Sequence, residues 1–182
     1  MQITIREPGS AITHFIGMMM AIIAATPLMV KAATDADRTA FIAMAVFIGS
    51  MVALYGASAL YHSVTVKDSI LKIFRKLDHM MIFVLIAGSY TPVCLVVLGD
   101  RRGYALLATV WGIAIAGMLI KAFWITCPKW FSSILYIAMG WACLAVFGIT
   151  DSMGKNPSVR IVSAFISITV GICFRQYVTV CR

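Results

Sequence analysis

The chain has three histidines, His14, His62 and His79, together with Asp78 next to the last of them. Each lies at or beside a long apolar run, where an ionisable group is expensive and therefore a functional candidate. Ser58 and His62 are four residues apart, so on a helix they share one face. A serine hydroxyl there can hydrogen-bond a neighbouring helix or orient a water. A neutral imidazole is a good metal ligand, and its second nitrogen needs a partner. Asp78 follows His62 by sixteen residues. A loop between them returns the chain to the same side, so a carboxylate can approach the imidazole. Ser89 lies three helical turns beyond Asp78 on the same face, and Pro92 should bend that helix and release backbone carbonyls. His79 points about 100° away from Asp78, so the two do not readily serve one site. The competing reading is structural: a histidine in the headgroup region, with Asp78 capping the third helix.

The elements that hold these groups follow from composition. The chain has 182 residues, of which 62% are hydrophobic and only 12% charged, with a mean hydropathy of +0.96. A soluble domain of this length cannot hide so much apolar surface. An all-α, polytopic membrane helix bundle is therefore predicted, since about 20 apolar residues cross the hydrocarbon layer. The runs are Ala11–Val30, Ala40–Tyr61, His79–Gly99, Gly103–Thr126 and Trp130–Thr150. A shorter sixth run, Ile161–Phe174, needs Arg175 to snorkel if it is to cross. The runs are continuous rather than alternating, which excludes a barrel pattern. The first run is too long for the apolar part of a cleaved leader. The whole chain, 1–182, reads as a single transmembrane domain with an atypical C-terminal part from 151 onward.

In this topology His14, His62, Asp78 and His79 share one membrane boundary. With the N-terminus cytoplasmic, that side holds Arg6, Lys67, Lys72, Arg75, Lys76, Lys121, Lys129, Arg175 and Arg182. The other holds Lys31, Arg38, Arg101, Arg102, Lys155 and Arg160. The excess favours a cytoplasmic N-terminus and a multi-pass protein of the inner (plasma) membrane. It rests mainly on Asp68–Leu77, where Ile70, Ile73, Phe74 and Leu77 form one face and Lys72, Arg75 and Lys76 fall elsewhere. Such a segment suits an anionic leaflet surface or is an ordinary basic loop. The net charge of +8 is spread in short clusters between apolar runs, so nucleic acid is not an expected partner; the lipid bilayer is. The five cysteines form no CxxC or CxxxC motif and suggest neither a thiolate metal site nor disulfides. Small residues on the second run (Gly49, Gly56, Ser58, Ala59) permit close packing without fixing an oligomeric state.

The chain resembles the hemolysin III family, which groups with the progestin and adipoQ receptors and more distantly with alkaline ceramidases. The resemblance is carried by Arg6-Glu7-Pro8-Gly9-Ser10-Ala11-Ile12-Thr13-His14, Ala57-Ser58-Ala59-Leu60-Tyr61-His62-Ser63, Arg75-Lys76-Leu77-Asp78-His79 and Ile86-Ala87-Gly88-Ser89-Tyr90-Thr91-Pro92, with weaker matches at Trp111-Gly112 and Gly140-Trp141. It covers about residues 6–150. It implies seven helices and a zinc site near the inner face, with His62 as a ligand, Asp78 acting on a metal-bound water, and Ser58 in support. It also implies a His-x-x-x-His pair on the seventh helix, and no histidine follows His79 in this sequence. A hydrolytic zinc centre ordinarily has three protein ligands and an open position, so a remnant site is expected, in a C-terminal part that reads as truncated or shifted in frame. The resemblance further implies a membrane-active, hemolytic or cytolytic protein. The alternatives are a zinc-dependent hydrolase of lipid amides or esters, and a receptor-like or inactive truncated member. No polar stripe runs the length of any span, as a water-filled pore would prefer.

Overall fold

The computed structural model describes residues 5–35, 37–123 and 134–142. The described residues contain no strand, in accord with an all-α membrane protein. Four helices form α1 (Pro8–Thr34), α2 (Arg38–Ser63), α3 (Asp68–Pro92, prolonged by a π-helical turn over Val93–Leu98) and α4 (Arg101–Phe123). All four, α3 counted with its prolongation, are long and apolar enough to cross a bilayer. Residues 134–142 are also helical and fall within the fifth expected run. The sixth, Ile161–Phe174, lies outside the described residues. The chain divides into two compact units, Met1–Pro92 and Val93–Arg182.

Local chemistry sets the helix ends. Pro8 occupies the first turn of α1, where a missing N–H is harmless. Asp37 caps α2 by accepting from the backbone N–H of Thr39 at 2.9 Å and Ala40 at 3.1 Å. Asp100 does the same for α4 through the N–H of Gly103, 2.8 Å away. Gly99, at φ +60°, takes the left-handed conformation that glycine tolerates. Its N–H bonds the carbonyl of Cys94 at 3.2 Å, the i to i+5 spacing of a π turn. Pro92 has no N–H for the carbonyl of Gly88. The expected disturbance after Pro92 thus takes the form of a widened helical turn.

The third helix differs from its sequence boundaries. It starts at Asp68, not at His79, so the amphipathic basic stretch is its first three turns. Asp78 therefore lies inside the helix, ten residues from its start, which removes the reading of Asp78 as a cap.

Within the first unit, α1, α2 and α3 pack as neighbouring antiparallel rods. Gly17 lets the ring of Tyr55 approach α1: a Cβ there would lie 3.2 Å from that ring. Gly56 faces the sulfur of Met18. Between α2 and α3 the contact is closer still. A Cβ on Gly88 would collide with Ser50 Oγ and lie 2.7 Å from Ser50 Cβ. Ser50 is itself held, its hydroxyl donating to the carbonyl of Phe47 at 2.6 Å. Ala43, Ala57 and Ala59 on α2 and Phe83, Ala87 and Tyr90 on α3 are buried. Small side chains that allow backbones to approach are what helix association in a bilayer uses.

Gly88→Ala should therefore lower the thermal stability of the detergent-solubilised protein, by about 1–3 kcal/mol of overpacking, although alanine favours helix more than glycine does. Ser50→Gly in the same chain should recover most of the loss. Thermal unfolding followed by circular dichroism checks both, and an undiminished midpoint in Gly88→Ala would contradict the packing.

Candidate functional site

The packing register places the sequence-selected residues at one depth. Counting along the antiparallel pair from the Ser50–Gly88 contact, His62 is about 18 Å along α2 and Asp78 about 15 Å along α3. Counting from the Gly17–Tyr55 contact, His14 on α1 is level with Ser58 on α2. The four residues thus share a layer near one end of the first unit, as the shared boundary required.

His62 is buried on the last turn of α2, and Ser58 is buried one turn before it. The carboxylate bonded to His62 belongs to Glu7. His62 Nδ1 donates to Glu7 Oε2 at 2.7 Å, because a carboxylate can only accept. The two residues are joined a second time through the backbone: the N–H of Glu7 donates to the carbonyl of His62 at 3.0 Å. That carbonyl is among the last of α2, which the helix itself leaves unsatisfied. Glu7 therefore closes the C-terminal end of α2 with its backbone and orients the last imidazole with its side chain.

A cation and aromatic rings enclose this pair. Arg6 Nη2 donates to Glu7 Oε1 at 2.9 Å, and the Arg6 guanidinium sits 4.3 Å from the centre of the Tyr61 ring, within cation–π range. Burial disfavours the charge on Arg6, but Tyr61 and Glu7 outweigh it and raise its pKa above the usual arginine value. The His14 ring lies 5.5 Å from the His62 ring, with planes 10° apart. Tyr55 borders His14 at 6.2 Å, and Tyr61 meets His62 edge-on at 4.9 Å.

Asp78 is largely buried, with a side-chain exposure of 16%, and interacts electrostatically with His14, as His62 also does. Its Oδ2 is 3.9 Å from His79 Nδ1, a nitrogen that bonds the carbonyl of Arg75 at 2.6 Å. The hydroxyl of Ser89 donates to the carbonyl of Ile86 at 2.7 Å, within its own helix. The structure thus gathers Ser58, His62 and Asp78 in one layer and brings His14 into ring contact with His62. The member that sequence reasoning did not assign to the site is Glu7. The signal was present in the Arg6–His14 motif, but nothing in the spacing of that motif says that Glu7 reaches a residue 55 positions away.

With Nδ1–H held by a carboxylate, the uncharged form of an imidazole carries its lone pair on Nε2. Such a ring is oriented to bind a metal or take a proton, and a carboxylate behind an imidazole is the usual outer support of a metal-ligating histidine. The rest of a zinc centre does not follow. Among the described residues, no group of three or more His, Cys, Asp or Glu side chains is arranged to hold an ion, and the sequence contains no His-x-x-x-His pair. Among the described residues, the contact supplies one imidazole oriented by a carboxylate.

A double-mutant cycle with Glu7→Gln and His62→Gln tests the contact. Glu7 is partly exposed, so the coupling should be about 1 kcal/mol, below the about 1.5–3 kcal/mol of a buried hydrogen bond to a charged group. Additive losses in thermal stability would show that the pair contributes nothing.

A model of the Haemolysin-III related family matches residues 2–178 of this chain. The "Hemolysin-3" of Bacillus cereus is 34% identical over 169 residues, which cover 92% of this chain and 77% of that protein. The "Hemolysin-3 homolog" of Bacillus subtilis (strain 168) is 39% identical over 139 residues, covering 76% of this chain and 65% of the relative. The chain thus spans about two thirds of the length of the second relative. No solved structure matches. The motifs at Glu7–His14, Ser58–His62 and Asp78, the apolar spans and the extent of these matches agree: this multi-pass membrane protein belongs to the Haemolysin-III related family.

Proposed function

We propose that this chain is a membrane-active protein of the hemolysin type, resident in the plasma membrane with its N-terminus in the cytoplasm, and that the Glu7–His62 layer is the remnant of a zinc site. The single observation that carries the reading is the likeness to two relatives named as hemolysins across most of this chain. The outward apolar surface supports it: Ile12, Phe15, Ile16, Met20 and Ile23 on α1 are more than half exposed and suit acyl chains. The Glu7–His62 contact fits the remnant of a zinc site, because a carboxylate behind an imidazole is how a metal-ligating histidine is usually held.

A second reading, a zinc-dependent hydrolase of lipid amides or esters, draws on the same contact. In that reading Glu7 orients the His62 ring, Ser58 supports the layer, and Asp78 places a negative charge beside His14. These residues would bind and orient a polar headgroup at the depth of His62.

Two measurements separate the readings. Purified protein reconstituted into dye-loaded liposomes should release dye faster than an equal amount of an unrelated six-helix membrane protein; equal leakage would overturn the first reading. Zinc per chain, measured by atomic emission, should be well below one and the same in wild type and His62→Ala. One zinc per chain, lost in His62→Ala, would favour the hydrolase.

A further inference from the structure

The first three turns of α3 carry a surface that neither reading uses. With its prolongation to Leu98 the helix is 31 residues long, about 45 Å, against a hydrocarbon layer of about 30 Å. The excess of about 15 Å equals the stretch from Asp68 to Asp78, which precedes the site layer. A helix longer than the layer it crosses adapts by tilting or by running into the interface. What that stretch presents decides which lipids surround it.

It presents two opposed faces. Ile70, Ile73 and Leu77 are 43%, 65% and 39% exposed, and at 100° per residue they fall within one narrow arc. Lys72 and Arg75 are exposed and lie on the far side of the helix, while Lys76 flanks the apolar arc. Lys67, also exposed, adds a fourth cation just before the helix. The acids nearby are Asp68, in the first turn, and Asp78, largely buried at the site layer. The outward charge of the stretch is therefore positive. An apolar stripe opposed by cations at the end of a membrane-crossing helix matches a leaflet edge in which acyl chains meet anionic headgroups.

We propose that the Lys67–Leu77 end of α3 is a docking surface for anionic phospholipid, with Ile70, Ile73 and Leu77 against acyl chains and Lys72 and Arg75 on headgroup phosphates. Charge complementarity favours lipid over a second protein copy, since copies meeting through this end would bring like charges together. The surface is independent of whether the His62 layer is active.

The full-length protein, purified into micelles containing equal phosphatidylglycerol and phosphatidylcholine, should retain phosphatidylglycerol preferentially when bound lipids are counted by native mass spectrometry. Lys72→Gln/Arg75→Gln should reduce that preference by about fivefold or more, since each cation near a headgroup contributes on that order. Lys72→Arg/Arg75→Lys should keep it. Lys31→Gln/Arg38→Gln removes the same charge from the opposite ends of α1 and α2 and should leave it unchanged. An unaltered preference in Lys72→Gln/Arg75→Gln, or an equal loss in Lys31→Gln/Arg38→Gln, would overturn the proposal. So would a dimer that dissociates in Lys72→Gln/Arg75→Gln without any lipid preference.

Discussion

The first unit depends on a double attachment between the start of the chain and the end of α2. Glu7 gives its N–H to the carbonyl of His62 and takes the Nδ1–H of the same residue on its carboxylate. The backbone bond satisfies a helix-end carbonyl that hydrocarbon could not solvate. The side-chain bond selects one imidazole tautomer, with the proton on Nδ1 and the lone pair on Nε2. Arg6 ties the second carboxylate oxygen and lies on Tyr61, so both oxygens of Glu7 accept a hydrogen bond.

The rest of the layer follows from how the helices meet. Small residues decide the distances: Gly17 admits Tyr55, and Gly88 admits Ser50. Those two contacts set the registers of α1 and α3 on α2 and so bring His14, Ser58, His62 and Asp78 to one depth. A site built in this way is assembled by packing far from its polar atoms. A change at Gly88 would move Asp78 relative to His62 without touching either.

Much of this was legible in the sequence. Continuous apolar runs marked the helices because a bilayer-crossing rod must be apolar along its length, and alternation of spans placed the histidines and Asp78 at one boundary. The start of α3 was less legible: Asp68–Leu77 is too charged to extend an apolar run, and helical phase alone does not say whether an amphipathic stretch joins the span after it. The partner of His62 was hidden for a different reason. Spacing arguments reach three or four residues along a helix, whereas Glu7 approaches from another segment. The near-contact of Gly88 with Ser50 was likewise unreadable, because each is an ordinary small residue within its own helix.

Glu7 is the chain's sole glutamate and there are only three histidines, which makes the central contact directly observable. Solid-state NMR of bilayer-embedded protein, labelled with 13C in the glutamate carboxyl and 15N in the imidazoles, measures the through-space coupling between them. Strong dephasing of one protonated Nδ1 signal is expected, abolished in His62→Gln and retained in His79→Gln. An imidazole set with no coupling to the glutamate carboxyl would contradict it.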